Sequence, residues 1–303
     1  MTHLARSSGN LAADRRYDYA RGAAADGDHA AAADLCEQAL ELAPAWAPAW
    51  FALGEARAAL GEDAAAEAAF TRALDCDPDD SQGAALRLAR LRGESPARPP
   101  DAYVRDLFDQ YAARFETHLV RDLAYRAPAI LREAIARASG DRRFRVALDL
   151  GCGTGLMARE MQDVCTTIDG VDLAPAMAAR ALASGLYAQV EAGDMQAFVE
   201  RYAAASVDLV MAADVFVYCG DLAPIFRETR RVLAQGGLFA FTLQRAESGD
   251  YTLGADFRYA HGRDYLSQLA QACGFAMLVC DDVSVRRDRG VDVPGLALVL
   301  AAP

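Results

Sequence analysis

Val146-Ala147-Leu148-Asp149-Leu150-Gly151-Cys152-Gly153-Thr154-Gly155 is an apolar run that ends in an acid and passes into three alternating glycines. The pattern predicts a buried strand turning sharply into a helix. Glycines at such a turn accept backbone angles that other residues avoid, and they let the main chain approach a ligand closely. In open α/β sheets the carboxyl ends of the strands are where ligands bind, so the stretch predicts a site for a nucleotide-like molecule.

The charge around the turn narrows the ligand. A dinucleotide fingerprint reads Gly-x-Gly-x-x-Gly and leaves a bare helix N-terminus for the pyrophosphate. Here Leu156 stands where the third glycine of that pattern belongs, and Asp149 precedes the loop, where it would repel phosphate. A cationic ligand without phosphate is expected. The stretch resembles the first motif of the class I S-adenosylmethionine-dependent methyltransferases, whose cofactor carries a sulfonium, an ammonium and a ribose with two free hydroxyls. The resemblance implies S-adenosyl-L-methionine as cofactor, held around Asp149, Gly151, Cys152, Gly153 and Gly155. It also implies a Rossmann-like, doubly wound, mostly parallel seven-stranded sheet.

Further acids fall at the ends of later apolar runs. Ile168-Asp169-Gly170-Val171-Asp172 reads as a second strand, and Asp172 lies 23 positions after Asp149, close to the spacing of a ribose-gripping carboxylate. Val190-Glu191-Ala192-Gly193-Asp194-Met195 resembles the family's third-strand segment, in which an acid reaches the adenine amino group and an apolar neighbour covers the ring. The run Val207 to Asp214 resembles its fourth strand. The resemblance therefore adds Asp172, Leu173, Met177, Asp194, Met195 and Asp214 to the cofactor contacts.

Composition sets outer limits. The chain has 303 residues, 53% hydrophobic and 24% charged, enough for one sizeable domain and a smaller one. No apolar run is long enough to span a membrane and Met1 to Arg6 lacks the core of a signal peptide, so a cytoplasmic location without membrane contact is expected. Seven scattered cysteines without a Cys-x-x-Cys pair point to reduced thiols, with no metal site. A net charge of −12 disfavours nucleic acid as a partner. All 31 basic residues are arginine, which excludes a Schiff-base or P-loop lysine.

Residues 1–12 lack periodicity and are expected to be disordered. Residues 13–93 repeat themselves: Gly27, Ala32, Ala39-Leu40 and Pro44 recur 34 positions later as Gly61, Ala66, Ala73-Leu74 and Pro78. That is the period of tetratricopeptide (TPR) helix-turn-helix units. Two units cannot close a core alone, so a capping helix is expected over 81–91. Trp46 and Trp50 are read as packing residues. The module is acidic, with nine Arg against fifteen Asp and Glu through residue 93, and binding of a protein partner and self-association are both open to it. Glu94 to Pro100 is a Pro-rich linker, and 101–303 is expected to be the catalytic domain.

After the linker an amphipathic helix runs through Val104, Leu107, Phe108, Tyr111 and Phe115. Its Phe108 to Phe115 segment resembles the stretch that closes an aromatic residue over the cofactor in many small-molecule methyltransferases, which makes Tyr111 the lid candidate. The same spacing also suits packing against the sheet. Helices are expected to follow each strand, with a lid or substrate loop over 244–260, a helix from His261 to Ala272, and a closing strand pair near 275–280 and 296–300.

Taken together, these segments resemble bacterial methyltransferases that carry N-terminal tetratricopeptide repeats. The Asn/Asp-Pro-Pro-Tyr/Phe signature of base- and amide-methylating enzymes is absent, so a small-molecule acceptor, at oxygen before nitrogen or sulfur, is expected. His118, His261 and Tyr218 are the candidates for a base or for orienting the acceptor. A protein acceptor, or an idle cofactor-binding adaptor working through its repeats, is the alternative. A nicotinamide oxidoreductase ranks behind, because Asp149 and the lack of lysine oppose it.

Overall fold

Small residues dominate the first ninety positions, and in the computed structural model they let helices pack closely. The structure describes residues 7–112, 115, 125–288 and 290–303, divided after Val104 into two units. The first holds α1 (Leu11–Ala25), α2 (His29–Leu42), α3 (Ala47–Ala59), α4 (Asp63–Cys76) and α5 (Ala84–Leu91). The spans of α2 and α4 repeat at 34 residues, as the sequence period requires. Gly54 shows why a small residue recurs: a Cβ there would lie 2.5 Å from the Phe70 ring. Trp46 packs on Tyr17 with ring centroids 4.7 Å apart, and the Trp50 indole donates to the Pro44 carbonyl at 2.8 Å.

Two expectations for this unit need correction. Order begins before residue 12: the Asn10 side chain accepts from the Ala12 and Ala13 amides and caps α1, while Ser7 and Ser8 both donate to Asp14. The capping helix starts at Ala84 rather than 81. Asp80, at φ 53°, accepts from the Ala84 and Ala85 amides at 2.6 and 2.9 Å, so 81–83 form the turn that enters it.

The division after Val104 falls inside α6 (Asp101–Tyr111), whose Tyr103 ring occupies the space a Cβ at Gly83 would need. The second unit continues with α7 (Ala127–Ser139), β1 (Phe144–Leu150), α8 (Leu156–Met161), β2 (Cys165–Asp172), α9 (Pro175–Ala183), β3 (Gln189–Ala192), α10 (Met195–Glu200) and β4 (Val207–Ala212). A short 3-10 turn, Phe216–Tyr218, precedes α11 (Ala223–Val232) and β5 (Leu233–Arg245). Then come β6 (Tyr251–Leu253), β7 (Tyr259–His261), α12 (Arg263–Ala272), β8 (Ala276–Asp288) and β9 (Val291–Ala301).

Strands β3-β2-β1-β4-β5 run parallel, and β9 and β8 continue the sheet antiparallel beyond β5. Side chains alternate between two cores. Leu148, Leu150, Phe239, Phe241 and Leu243 meet Phe198, Ile225, Phe226 and Leu266 on one face. On the other, Ala147, Leu238 and Ala240 meet Leu131, Ile135, Met157 and Met161. Both faces are covered by helices, which is the doubly wound arrangement.

The described sheet has nine strands rather than seven. The additional pair lies at 251–253 and 259–261, almost all of it in the stretch expected as loop: β6 and β7 form a hairpin, and β7 pairs with Gln244 and Arg245 beyond the end of β4. His261 therefore ends a strand instead of opening a helix, and α12 begins two residues later behind Gly262. Helix α11 ends at Val232, and β5 starts at once with a register shift between the Val207 and Leu209 pairings, passing Gly236 at φ +71°.

Candidate functional site

At the carboxyl end of β1 the chain takes positive φ at Gly151, Gly153 and Gly155. A Cβ on Gly151 would lie 2.6 Å from Val215 Cγ2, which leaves no room for a side chain, and one on Gly155 would be a tight 3.2 Å from the Tyr187 ring. A Cβ on Gly153 would face the Phe115 ring at 3.4 Å. The three glycines thus leave bare backbone, with the Tyr187 and Phe115 rings beside it. Cys152 is buried, and burial pushes its thiol far above the usual range, with the Asp149 and Asp172 charges adding to the rise. It acts as a small filler. Thr154 Oγ1 is buried and has no hydrogen-bond partner among the described residues.

Asp149 is buried, and its Oδ2 accepts from the Tyr187 hydroxyl at 2.6 Å. Burial pushes this carboxyl up to about 7; the Tyr187 hydrogen bond opposes the rise and the Asp172 charge adds to it. Asp172, at the end of β2, accepts from the Gly153 amide at 2.8 Å and from the Ala174 amide at 2.9 Å. Burial raises it to about 6 against the pull of these two amides. Each oxygen keeps a further acceptor site. Leu173 is half-buried beside it, and Met177 is buried against Ala112, Ala174, Phe108 and Phe115. Asp194 caps α10 by accepting from the Ala197 amide at 2.9 Å, and Met195 is half-buried.

Helix α6 joins this end through Asp109, which accepts from the Ala176 amide at 2.8 Å. The Tyr111 ring lies edge-on to Phe115 at 5.3 Å, and Phe108 touches both Phe115 and Tyr218 edge-on, at 6.2 and 5.2 Å. Phe115, rather than Tyr111, is the ring placed directly over Gly153. His118 lies outside the described residues.

The end of β4 carries a different chemistry. Asp214 has φ 60°, and its amide donates to Thr242 Oγ1 at 2.9 Å. Both of its oxygens accept from one nitrogen of Arg286, at 2.8 and 2.9 Å, so it enters an ion pair that the sequence pattern does not reveal. Burial raises Asp214 while Arg286 and Arg258 oppose the rise. Arg286 is 3% exposed; its other terminal nitrogen donates to Gln244, and its Nε has no partner among the described residues. Arg258 is half-buried and bonds the Tyr218 hydroxyl. His261 is fully buried. Its Nε2 donates to the Gly220 carbonyl at 3.0 Å, and burial lowers the ring to about 4. The imidazole is neutral and braces β7 against the turn after Tyr218.

Comparisons with known proteins bear on both units of the chain. Residues 148–241 match the family described as Methyltransferase domain, and residues 23–91 match Tetratricopeptide repeat. The chain carries a methyltransferase domain. Over 151 residues it is 32% identical to a Malonyl-[acyl-carrier protein] O-methyltransferase of Methylovorus, covering 46% of this chain and 49% of that one. It is 34% identical over 102 residues to a Ubiquinone biosynthesis O-methyltransferase of Xanthomonas oryzae, covering 32% and 43%. The chain thus spans about half the length of the curated relatives it matches. In fold, the methyltransferase domain is similar to the 1,6-didemethyltoxoflavin-N1-methyltransferase of Burkholderia thailandensis, solved with 1,6-didemethyltoxoflavin and S-adenosylhomocysteine. The TM-score is 0.52 at 17% identity, over 69% of this chain and 92% of that one.

Proposed function

We propose that the protein binds S-adenosylmethionine at the glycine loop and transfers its methyl group to the oxygen of a small-molecule acceptor. The observation that carries this reading is the carboxylate of Asp172 bonded to the Gly153 amide at 2.8 Å, which brings an acid of β2 onto the loop after β1. The residues fit such a group. Asp172 has acceptor sites left for ribose hydroxyls, the Thr154 hydroxyl is buried without a partner among the described residues, and Gly151, Gly153 and Gly155 carry no side chain of their own to block approach. Leu173 and Met195 are half-buried apolar neighbours suited to a purine face, and Asp194 stands at the end of β3 for its amino group.

When bound, the cofactor supplies an activated methyl on a sulfonium. The chain's part is then to hold it, exclude water and aim the acceptor. Phe108, Tyr111 and Phe115 supply an apolar cover, and Tyr218 lies across them from the loop. The names of the curated relatives support oxygen as the accepting atom. The repeats are suited to recruiting a protein partner.

Calorimetry of the full chain with S-adenosylhomocysteine and with NAD tests the cofactor. Binding of the first at about micromolar strength, with NAD undetected, is expected. Tighter binding of NAD would reverse the assignment.

A further inference from the structure

We infer that Tyr187 is a positioning residue for the cofactor: its ring braces the glycine loop, and its hydroxyl holds one oxygen of Asp149 so that this carboxylate serves the cofactor's cationic end. The inference rests on the methyltransferase reading and adds to it a residue that acts through another.

Space is the first ground. Gly170 of β2 is the register partner of Asp149 in β1. A Cβ on Gly170 would lie 2.9 Å from the Tyr187 ring and 3.1 Å from Cys152 Sγ. The φ of Gly170 is not positive, so space alone calls for glycine there, and the slot it leaves beside Asp149 is filled by the ring. Tyr187 enters from the turn between α9 and β3, which the Ala188 amide ties to β2 by donating to the Ile168 carbonyl at 2.9 Å. The far edge of the ring lies beside Gly155, the residue that opens α8. One buried side chain thus touches the middle of β2 and both ends of the turn that the cofactor approaches.

The hydroxyl is the second ground. It donates to Asp149 Oδ2 at 2.6 Å, which is the one hydrogen bond of the Asp149 side chain among the described residues. Helix α8 has Gly155 as its N-cap and therefore no side-chain cap. The Ala158 amide in its first turn acts on the Tyr187 hydroxyl. A donor on one side of the oxygen directs the hydroxyl proton to the acid on the other.

Charge is the third ground. Asp149 is 1% exposed; burial works against its charge and the Tyr187 bond works for it. The other described groups coupled to this carboxyl are Cys152 in the loop, Cys165 and Asp172 at the two ends of β2, and Tyr125. Burial keeps both thiols and the Tyr125 phenol protonated near neutral pH, so Asp172 is the member of this set that also titrates there. A cationic ligand gains from an ionised Asp149 and not from a protonated one. The Tyr187 bond thereby sets how much of the protein is ready to bind at a given pH.

The test is calorimetric titration of the full chain with S-adenosylhomocysteine from about pH 6 to pH 9, with Tyr187→Phe compared with the parent at each pH so that titration of the ligand cancels. An ordinary hydrogen bond corresponds to about a tenfold change in proton affinity. With Asp149 at about 7 in the parent, the variant should bind roughly fivefold more weakly at pH 7 and approach parity by about pH 9. In an Asp149→Asn background the same substitution should cost no more at pH 7 than at pH 9. A loss equal at every pH in the Asp149 protein makes Tyr187 a packing residue only and overturns the inference, as does an unchanged affinity. If Tyr187→Phe does not fold, a singly fluorinated tyrosine at position 187 keeps the ring and donates more strongly. Its affinity relative to the parent must then be higher at pH 7 than at pH 9, and a constant ratio overturns the inference. A parent that binds no S-adenosylhomocysteine at any pH removes the methyltransferase reading and the inference together.

Discussion

Asp172 accepts a hydrogen bond from the Gly153 amide at 2.8 Å, so the end of β2 fixes the shape of the loop that follows β1. One carboxylate thereby orders the loop and keeps acceptor capacity facing the ligand. Asp172→Ala removes both effects. Hydrogen bonds to a charged group contribute about 1.5–3 kcal/mol, so affinity for S-adenosylhomocysteine should fall roughly tenfold to a hundredfold. Calorimetry on the folded mutant checks this. An unchanged affinity would assign the ribose to another group.

Asp149 and Tyr187 give a pH dependence. Burial lifts the Asp149 carboxyl from 3.8 to about 7, so between those values the folded chain keeps a proton that the unfolded chain has lost. The stability from this group is therefore fully present below about pH 4 and is lost as pH rises through 7. Asp149→Asn still accepts from the Tyr187 hydroxyl and cannot ionise. Its melting temperature relative to the parent should rise between about pH 5 and pH 8. A relative shift that ignores pH would mean that Asp149 is not the titrating group.

Arg286 and Asp214 form a buried pair whose halves are unequal in consequence. Arg286→Met strands a carboxylate and should cost about 3–5 kcal/mol in denaturant unfolding. Asp214 sits at φ 60°, which Asn also tolerates, so Asp214→Asn tests the charge without changing the backbone. The double mutant should be less destabilised than the two single losses added together. Simple additivity would show that the pair is not coupled.

The apolar run Val146 to Leu150 was legible as a buried strand because β1 is covered on both faces, with Leu148 and Leu150 in one core and Ala147 in the other. The glycine loop and Asp172 were legible for a local reason: strand, turn and acid follow one another in the chain. The partners were not. Tyr187 is 38 positions from Asp149 and Arg286 is 72 from Asp214, and such pairings are set by how strands and helices come together in space. The β6–β7 hairpin was read as loop because three-residue strands are too short to show a period. His261 was read as helical because α12 starts behind Gly262 with no side-chain cap to mark its first residue.

Gly151 and Val215 provide the most local test of the loop. At φ +63° and with Val215 Cγ2 2.6 Å from the position of a Cβ, Gly151 faces two separate obstacles to any side chain. The left-handed backbone alone costs an alanine about 1–2 kcal/mol. The clash adds to this by pushing the loop away from the end of β4. Gly151→Ala should therefore lower both S-adenosylhomocysteine affinity and thermal stability. Val215→Ala in the same chain removes the methyl groups in the way but leaves φ unchanged, so it should restore part of the affinity and never all of it. Full recovery in the double mutant would mean that the backbone angle carries no cost, and no recovery would mean that Val215 yields without strain.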